Sequence, residues 1–168
     1  MIAYLFTFGL ALTSVLAPGK LITGSVPKGF HAIDASHVDA KETIEAGGIV
    51  VTETSPGKGA ATFYATPQEH FSGLPEVPGV CSGAGGAMAT SVSGKMTASK
   101  VVPFGKGRAC RIDIDVAGEK PYQARTFLWF VSPAEKLAGM AMCTHGAGDS
   151  AMMKLCQEFA ESIKATNP

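Results

Sequence analysis

The stretch that decides the fold runs from residue 108 to residue 164 and reads RACRIDIDVAGEKPYQARTFLWFVSPAEKLAGMAMCTHGAGDSAMMKLCQEFAESIK. Near its start, apolar and charged residues alternate, and this period of two predicts a half-buried β-strand over 108–116. Two further strands are predicted over 122–131 and 137–144, because short turns containing Gly, Pro and charged residues separate the three runs. Strands joined by such short turns pair antiparallel, so we expect a meander.

The end of the same stretch predicts an amphipathic helix over 149–164. Its apolar residues recur at helical spacing and share one face: Met152, Leu155, Cys156, Phe159 and Ile163. Asp149 or Ser150 can cap the first turn by accepting a hydrogen bond from a backbone N–H. An apolar stripe of this width has to be buried, and we expect the helix to cover the meander.

Residues upstream of the meander predict a β-hairpin over 48–65. A run rich in β-branched residues is followed by a turn containing Gly and Pro, and a second strand-like run returns from it. The predicted fold class is therefore α+β. An antiparallel sheet, built from the meander over 108–144 and this hairpin, is expected to pack against the C-terminal helix.

The other segments carry weaker patterns. A short helix is indicated over 40–46, and the Gly-, Pro- and Ser-rich region 71–107 is predicted to be largely loop. Within that region a short edge strand is expected over 101–104, where a proline is tolerated. A helix over part of 84–92 is disfavoured, because each interior glycine costs about 1 kcal/mol.

The first nineteen residues form an apolar leader without a charged side chain. Such a leader is typical of an export signal, so we interpret residues 1–19 as a signal peptide and 20–168 as one α+β domain. Cleavage after Ala17, Gly19 or Ser25 is compatible with the small residues there. A retained membrane anchor and a buried first strand are the alternatives, although the run is short and polar for a span.

The four cysteines support export. An even number of cysteines is expected when a chain matures in an oxidising compartment, and four cysteines allow three pairings. Cys143 lies near the end of the last predicted strand, and Cys156 lies on the apolar stripe of the helix that returns over it. We therefore predict a Cys143–Cys156 disulfide and, by elimination, a Cys81–Cys110 disulfide.

Composition limits the function classes. Lys plus Arg and Asp plus Glu are both 14, so the formal net charge is zero, and no basic stripe indicates nucleic acid as a partner. After removal of the leader, no stable membrane span is expected. These features favour a periplasmic or secreted protein.

The order of elements resembles that of the PsbP-like α/β/α sandwich domains of secreted bacterial proteins. The terminal helix ends in Phe159-Ala160-Glu161-Ser162-Ile163-Lys164, and Pro27-Lys28-Gly29-Phe30 is similar to the Pro-x-Gly-Phe element with which such domains open. The resemblance covers roughly residues 27–164, and the Gly-rich middle departs from the helix that these domains carry there. It implies a binding or assembly module without catalytic activity.

Three short motifs could carry chemistry, and each has a simpler interpretation. Gly148-Asp149-Ser150 is similar to a serine-protease nucleophile segment, but a helix cap explains it in a chain too short for that fold. A zinc site could be formed by Cys143, His145, Cys156 and Cys110. Their spacing matches no common zinc module, and His145 is expected to be solvated. The glycine cluster at 82–86 lacks the Gly-Lys-Ser/Thr ending of a phosphate-binding loop.

Charged and histidine side chains give two further candidates. Asp113 and Asp115 are paired on one face of a strand, about 7 Å apart, as in some glycosidases. A solvated strand face is the simpler interpretation. His31 and His37, with nearby aspartates, could hold a metal in a loop. We expect neither site.

The sequence thus predicts no catalytic residues, no cofactor and no metal. The expected function is that of a non-catalytic, exported, disulfide-stabilised binding or assembly module, whose partner is an envelope protein or a small ligand. A small inhibitor or immunity-type protein, with a rigid loop within 71–96, is one alternative. A hydrolase with a site that the sequence does not reveal is the other.

Overall fold

A computed structural model describes residues 16–18, 21–54, 61–67, 78–116, 123–132 and 137–166. The strands are β1 (Leu16–Pro18), β2 (Ile22–Ser25), β3 (Phe30–Ile33), β4 (Ile49–Glu53), β5 (Thr62–Pro67), β6 (Gly94–Phe104), β7 (Gly107–Val116), β8 (Gln123–Ser132), β9 (Leu137–Gly146) and β10 (Lys164–Ala165). The helices are α1 (Val38–Glu45), α2 (Pro78–Ser91) and α3 (Ser150–Glu161). Residues 1–15, which hold most of the predicted leader, lie outside the described part.

Seven of the strands form one antiparallel sheet in the order β3-β4-β5-β9-β8-β7-β6. The predicted meander is confirmed as β7, β8 and β9, and the predicted hairpin as β4 and β5. The hairpin joins the meander because β5 pairs antiparallel with β9, placing Phe63 opposite Cys143. The fold is α+β, and the C-terminal helix packs on the sheet as the apolar stripe predicts.

Helix α3 covers one face of this sheet, here called the α3 face. Phe159 and Cys156 of the helix are buried against Phe63 of β5 and Cys143 of β9. The Phe63 and Phe159 ring centroids lie 5.7 Å apart, and the Phe63 ring also packs on Phe30. Alternation along each strand sends every second side chain to this face, which is why one helix can bury residues from several strands.

Helices α1 and α2 lie on the opposite face, here called the α2 face. Under α2, buried Cys81 and Ala89 of the helix contact Cys110, Ile112 and other apolar side chains of the sheet. Helix α1 lies beside β4 and β5. The molecule therefore has three layers, with helices on both faces of the sheet.

The helix α2 overturns the prediction that this region is largely loop. It spans fourteen residues although glycines recur within it. Gly85 faces β6 so closely that a Cβ atom there would lie 2.5 Å from Sδ of Met96 and 3.2 Å from Oγ of Ser99. The glycine lets the helix approach the sheet, and burial of Cys81 and Ala89 outweighs the weak helix propensity.

Strand β6 is also longer than the predicted edge strand over 101–104. It runs for eleven residues along one edge of the sheet and pairs only with β7 in the described part of the chain. A β-bulge falls between Met96 and Ala98, and the Thr97 side-chain hydroxyl donates to the Asp113 carbonyl across it, at 3.1 Å. Pro103 lies near the far end of the strand.

A small second sheet, β1-β2-β10, adjoins the α3 side of the core. Ile22 of β2 is only 1% exposed and belongs to the core that α3 covers. The Leu21 N–H donates to the Gly47 carbonyl, and the Leu21 carbonyl accepts from the Thr166 N–H. The segment that begins at Leu21 is therefore integrated into the fold.

Candidate functional site

A cavity of about 250 Å³ lies between helix α1 and the α2 face of the sheet. Its walls come from α1 on one side and from β5 and β9 on the other: Glu42, Thr43, Ala46, Tyr64, Thr66, Met140 and Met142. The antiparallel register places Tyr64 opposite Met142 and Thr66 opposite Met140, so these four side chains project from the same face. We call this space the α1 cavity.

Helix α1 packs on the sheet through few buried side chains, and the α1 cavity lies beside this contact. Ala40 is its one fully buried residue. A second cavity of about 250 Å³ lies between this helix and strands β3 and β4, with Ile33, Ile44 and Val50 among its lining residues. The small side chain of Ala40 lies where α1 contacts the sheet, and a cavity lies on each side of this contact. The walls of the α1 cavity are therefore accessible to a small ligand.

Tyr64 is a polar residue in the wall of the α1 cavity, and the pKa of its phenol is shifted. Burial raises the pKa of its phenol above the ordinary value of 10.0, and the Asp39 carboxylate raises this pKa further, whereas Arg125 acts in the opposite direction. The phenol is therefore protonated at neutral pH and can donate a hydrogen bond. The methionine sulfurs beside it are soft, polarisable and only weak hydrogen-bond acceptors.

A second polar cluster lies on the α3 face and links β7, β8 and β9. The Arg111 guanidinium donates Nε–H to both carboxylate oxygens of Asp113, at 3.1 and 3.0 Å. The Thr126 hydroxyl donates to Asp113 at 2.8 Å, and Nε2 of His145 lies 2.9 Å from the same hydroxyl. Nδ1 of His145 lies 2.8 Å from the Gly146 carbonyl, which can only accept a hydrogen bond.

The α3-face cluster is a structural element. Thr126 is 1% exposed and His145 is 4% exposed, so both are buried. The cluster also contacts α3, because Nη2 of Arg111 lies 2.8 Å from Sδ of Met153. The expectation that His145 is solvated is wrong, since it lies within β9 and is buried.

The two aspartates that were compared with a glycosidase pair have different environments. Asp115 is exposed, as expected for a solvated strand face. Asp113 is not, because its side chain is 17% exposed and is bonded to both Arg111 and Thr126. The sequence does not reveal this difference, because the partner hydroxyl comes from a neighbouring strand.

We expect that Thr126→Val lowers the free energy of unfolding by about 1–3 kcal/mol. Valine retains the shape of threonine but leaves Asp113 and His145 without their shared hydrogen-bonding group in a buried place. Urea denaturation measures the change. The matched control is Thr144→Val on the same sheet at a half-buried position, for which we expect less than about 0.5 kcal/mol. Equal losses in both variants would contradict a structural role for the cluster.

The two histidines considered for a metal site lie in separate surroundings, and His31 lies in strand β3 rather than in a loop. Nδ1 of His31 lies 3.4 Å from the Thr54 hydroxyl, and His37 is the residue before helix α1. Hydrogen bonds from the Ser36 side chain and backbone lower the pKa of Asp34 below its ordinary value. Across the residues that the structure describes, no three His, Cys, Asp or Glu side chains are arranged to hold a metal ion.

The remaining motifs have structural roles. Asp149 caps helix α3, accepting a hydrogen bond from the Met152 N–H at 3.0 Å, so the cap interpretation of Gly148-Asp149-Ser150 is confirmed. The glycine cluster at 82–86, which was expected to be a flexible loop, lies inside helix α2.

All four cysteines are joined in disulfides, in the pairs Cys81–Cys110 and Cys143–Cys156. The first connects helix α2 to β7, and the second connects helix α3 to β9. All four residues are fully buried. Each disulfide therefore holds one helix on one face of the sheet, and no thiolate remains for the zinc site considered from the sequence.

Comparison with known proteins adds no family. No protein-family model matches the chain, and the search of curated proteins found no match. The sequence analysis did not predict the α1 cavity. The local pattern that could have indicated it is Met140-Ala141-Met142, in which two methionines on one strand are separated by a small residue.

Proposed function

We propose that this protein is an exported, disulfide-stabilised module that binds a partner without catalysing a reaction. The observation that carries the proposal is the pair of fully buried disulfides, one on each face of the sheet. Such disulfides form and persist in oxidising compartments, which supports a periplasmic or secreted location. None of the helices in the described ranges is both long and apolar enough to span a membrane.

The α1 cavity supports the proposal that the bound partner is a small ligand rather than a large protein surface. It is concave and combines apolar walls with a few polar groups, as small-molecule sites do. The buried polar cluster around Thr126 has its hydrogen-bonding capacity used within the fold, so it supports stability rather than catalysis. The three-layer arrangement supports the proposal of a PsbP-like sandwich.

The inhibitor alternative receives less support. It requires an exposed rigid loop within 71–96, and the chain is helical from Pro78 to Ser91. Residues 71–77 lie outside the described part. The hydrolase alternative has no residue of the described structure to carry it, so we retain the binding module as our proposal.

We expect that the exported protein begins between Pro18 and Leu21. Cleavage after Ala17 or Gly19 would remove all or most of the edge strand β1, which pairs with β2. The range from the sequence extends to Val26, but cleavage after Ser25 would also remove β2, with its buried Ile22 and its pairing to β10. The experiment expresses the full chain in an intact bacterial host. N-terminal sequencing then locates the cleavage site, and alkylation of free thiols before and after reduction counts the disulfides.

Two outcomes would contradict the proposal of export. One is an intact Met1 on protein recovered from the cytosol, and the other is four free thiols in protein from the envelope. Cleavage after Ser25 would contradict only the narrower range, since the protein would then fold without β2. A cytosolic form made without residues 1–19 is the matched control for thiol oxidation.

A further inference from the structure

Two thioethers share one wall of the α1 cavity. Met140 and Met142 are two residues apart on β9, project from the same face and both line the cavity. Two residues along a strand correspond to about 7 Å between Cα atoms. Methionine is unbranched with three rotatable bonds, so two sulfurs with this spacing can converge on one small ion between them.

The chemistry of the remaining soft donors points to a particular ion. Thioether sulfur is a soft ligand that selects Cu(I) over harder divalent metals. All four cysteines are in disulfides, so thiolates cannot compete for such an ion. In this protein the methionines are therefore the soft donors available for it, and two of them are placed together.

Charge at the cavity also favours a cation. The Glu42 carboxylate is part of the α1 wall. Asp39, one turn earlier on the same helix, acts on the Tyr64 phenol, which stays neutral. Arg125, on the sheet, lowers the pKa of the same phenol. The carboxylate in the cavity wall supplies negative charge that suits a monovalent cation.

We propose that the α1 cavity binds one Cu(I) ion through Sδ of Met140 and Sδ of Met142, with Glu42 supplying negative charge at the rim. The ion binds and leaves as Cu(I), so no electron is transferred. This proposal deepens the proposed function and rests on it, because the thiols are removed from competition by oxidation in the exported protein. It departs from the sequence expectation of no metal.

The other adjacent methionine pair provides a matched control. Met152 and Met153 are neighbours on helix α3, on the opposite side of the sheet. Successive helical residues point about 100° apart, so these two sulfurs do not face each other. Sδ of Met153 instead lies against the Arg111 guanidinium, which is an unfavourable neighbour for a cation.

The test uses Ag(I) as an air-stable soft probe, followed by Cu(I) under anaerobic conditions. Exported protein purified with both disulfides formed is titrated with silver nitrate in chloride-free buffer by isothermal titration calorimetry. Cu(I) affinity is measured by competition with a chromophoric chelator. The variants are Met140→Leu/Met142→Leu and, as control, Met152→Leu/Met153→Leu, with circular dichroism and thermal melting to confirm that each is folded.

We expect one ion of either metal per chain. The Met140→Leu/Met142→Leu variant should bind the ion at least tenfold more weakly, which corresponds to about 1.4 kcal/mol of binding free energy. The affinity of the control variant should stay within about twofold of the wild type. Ag(I) should also protect Met140 and Met142, but not Met152, from oxidation by peroxide, measured by peptide mass. Leucine retains the apolar volume of methionine, so loss of binding reports the sulfur atoms.

Three results would overturn the proposal: no Ag(I) bound by the wild type, equal binding by the first variant, or displacement of Ag(I) by equimolar Zn(II), which would indicate carboxylate ligands. These results are distinguishable from failure of the proposed function. Protein that is exported and oxidised but binds no soft ion would contradict only the metal site. Cytosolic protein with free thiols would contradict export.

Discussion

Replacing Phe159 with alanine is expected to lower the free energy of unfolding by about 3–5 kcal/mol. The Phe159 ring is 1% exposed and packs, tilted, against Phe63, which in turn contacts Phe30. Its removal leaves a cavity at the centre of the core between α3 and the sheet, where the disulfide Cys143–Cys156 limits how far the helix can move inward. The measurement is urea or thermal denaturation of the oxidised protein.

The matched control for Phe159 lies on the same helix. Glu158 is exposed, so Glu158→Ala removes side-chain atoms without opening a cavity, and we expect a change within about 0.5 kcal/mol. A loss below about 1 kcal/mol for Phe159→Ala would mean that the apolar stripe of α3 is not the main contact with the sheet.

Removal of the Cys81–Cys110 disulfide is expected to cost more than removal of Cys143–Cys156. The sequence separations are 29 and 13, so the first disulfide restricts a longer loop in the unfolded chain. In the chain-entropy model the two contribute about 3.6 and about 2.9 kcal/mol. The variants are the paired alanine replacements, compared by urea denaturation without reductant.

Combining both replacements tests whether the two disulfides act independently. They lie on opposite faces of the sheet and join different helices, so the losses should add to about 6.5 kcal/mol. Wild-type protein measured with reductant is the control, because it lacks the same bonds but keeps the sulfur atoms. A larger loss from the shorter loop would show that native-state packing, rather than loop closure, governs the contribution.

Local patterns in the sequence predicted the elements that depend on local information. The alternation around Ile112 predicts β7, and the stripe through Phe159 predicts the buried face of α3, because periodicity within one segment determines which side chains share a face. The helix was expected to continue to Lys164 but ends at Glu161, and Lys164 instead begins β10, which pairs with β2.

Features that depend on distant partners were not predictable in the same way. Helix α2 is stabilised by contacts with β6 and β7 that its glycine-rich sequence does not show. The burial of His145 depends on Thr126 and Asp113 from two other strands. The α1 cavity depends on the pairing of β5 with β9, which brings Tyr64 beside Met142 across a long sequence separation.

The outer edge of β6 has a consequence for the behaviour of the protein in concentrated solution. A strand of eleven residues at the edge of a sheet is long enough to template the addition of a strand from another molecule. Here the bulge at Met96 bends the strand, Lys95 and Lys100 are exposed along it, and Pro103 lacks an N–H to donate. These features oppose sheet growth from molecule to molecule, and so they protect the protein against amyloid-like aggregation.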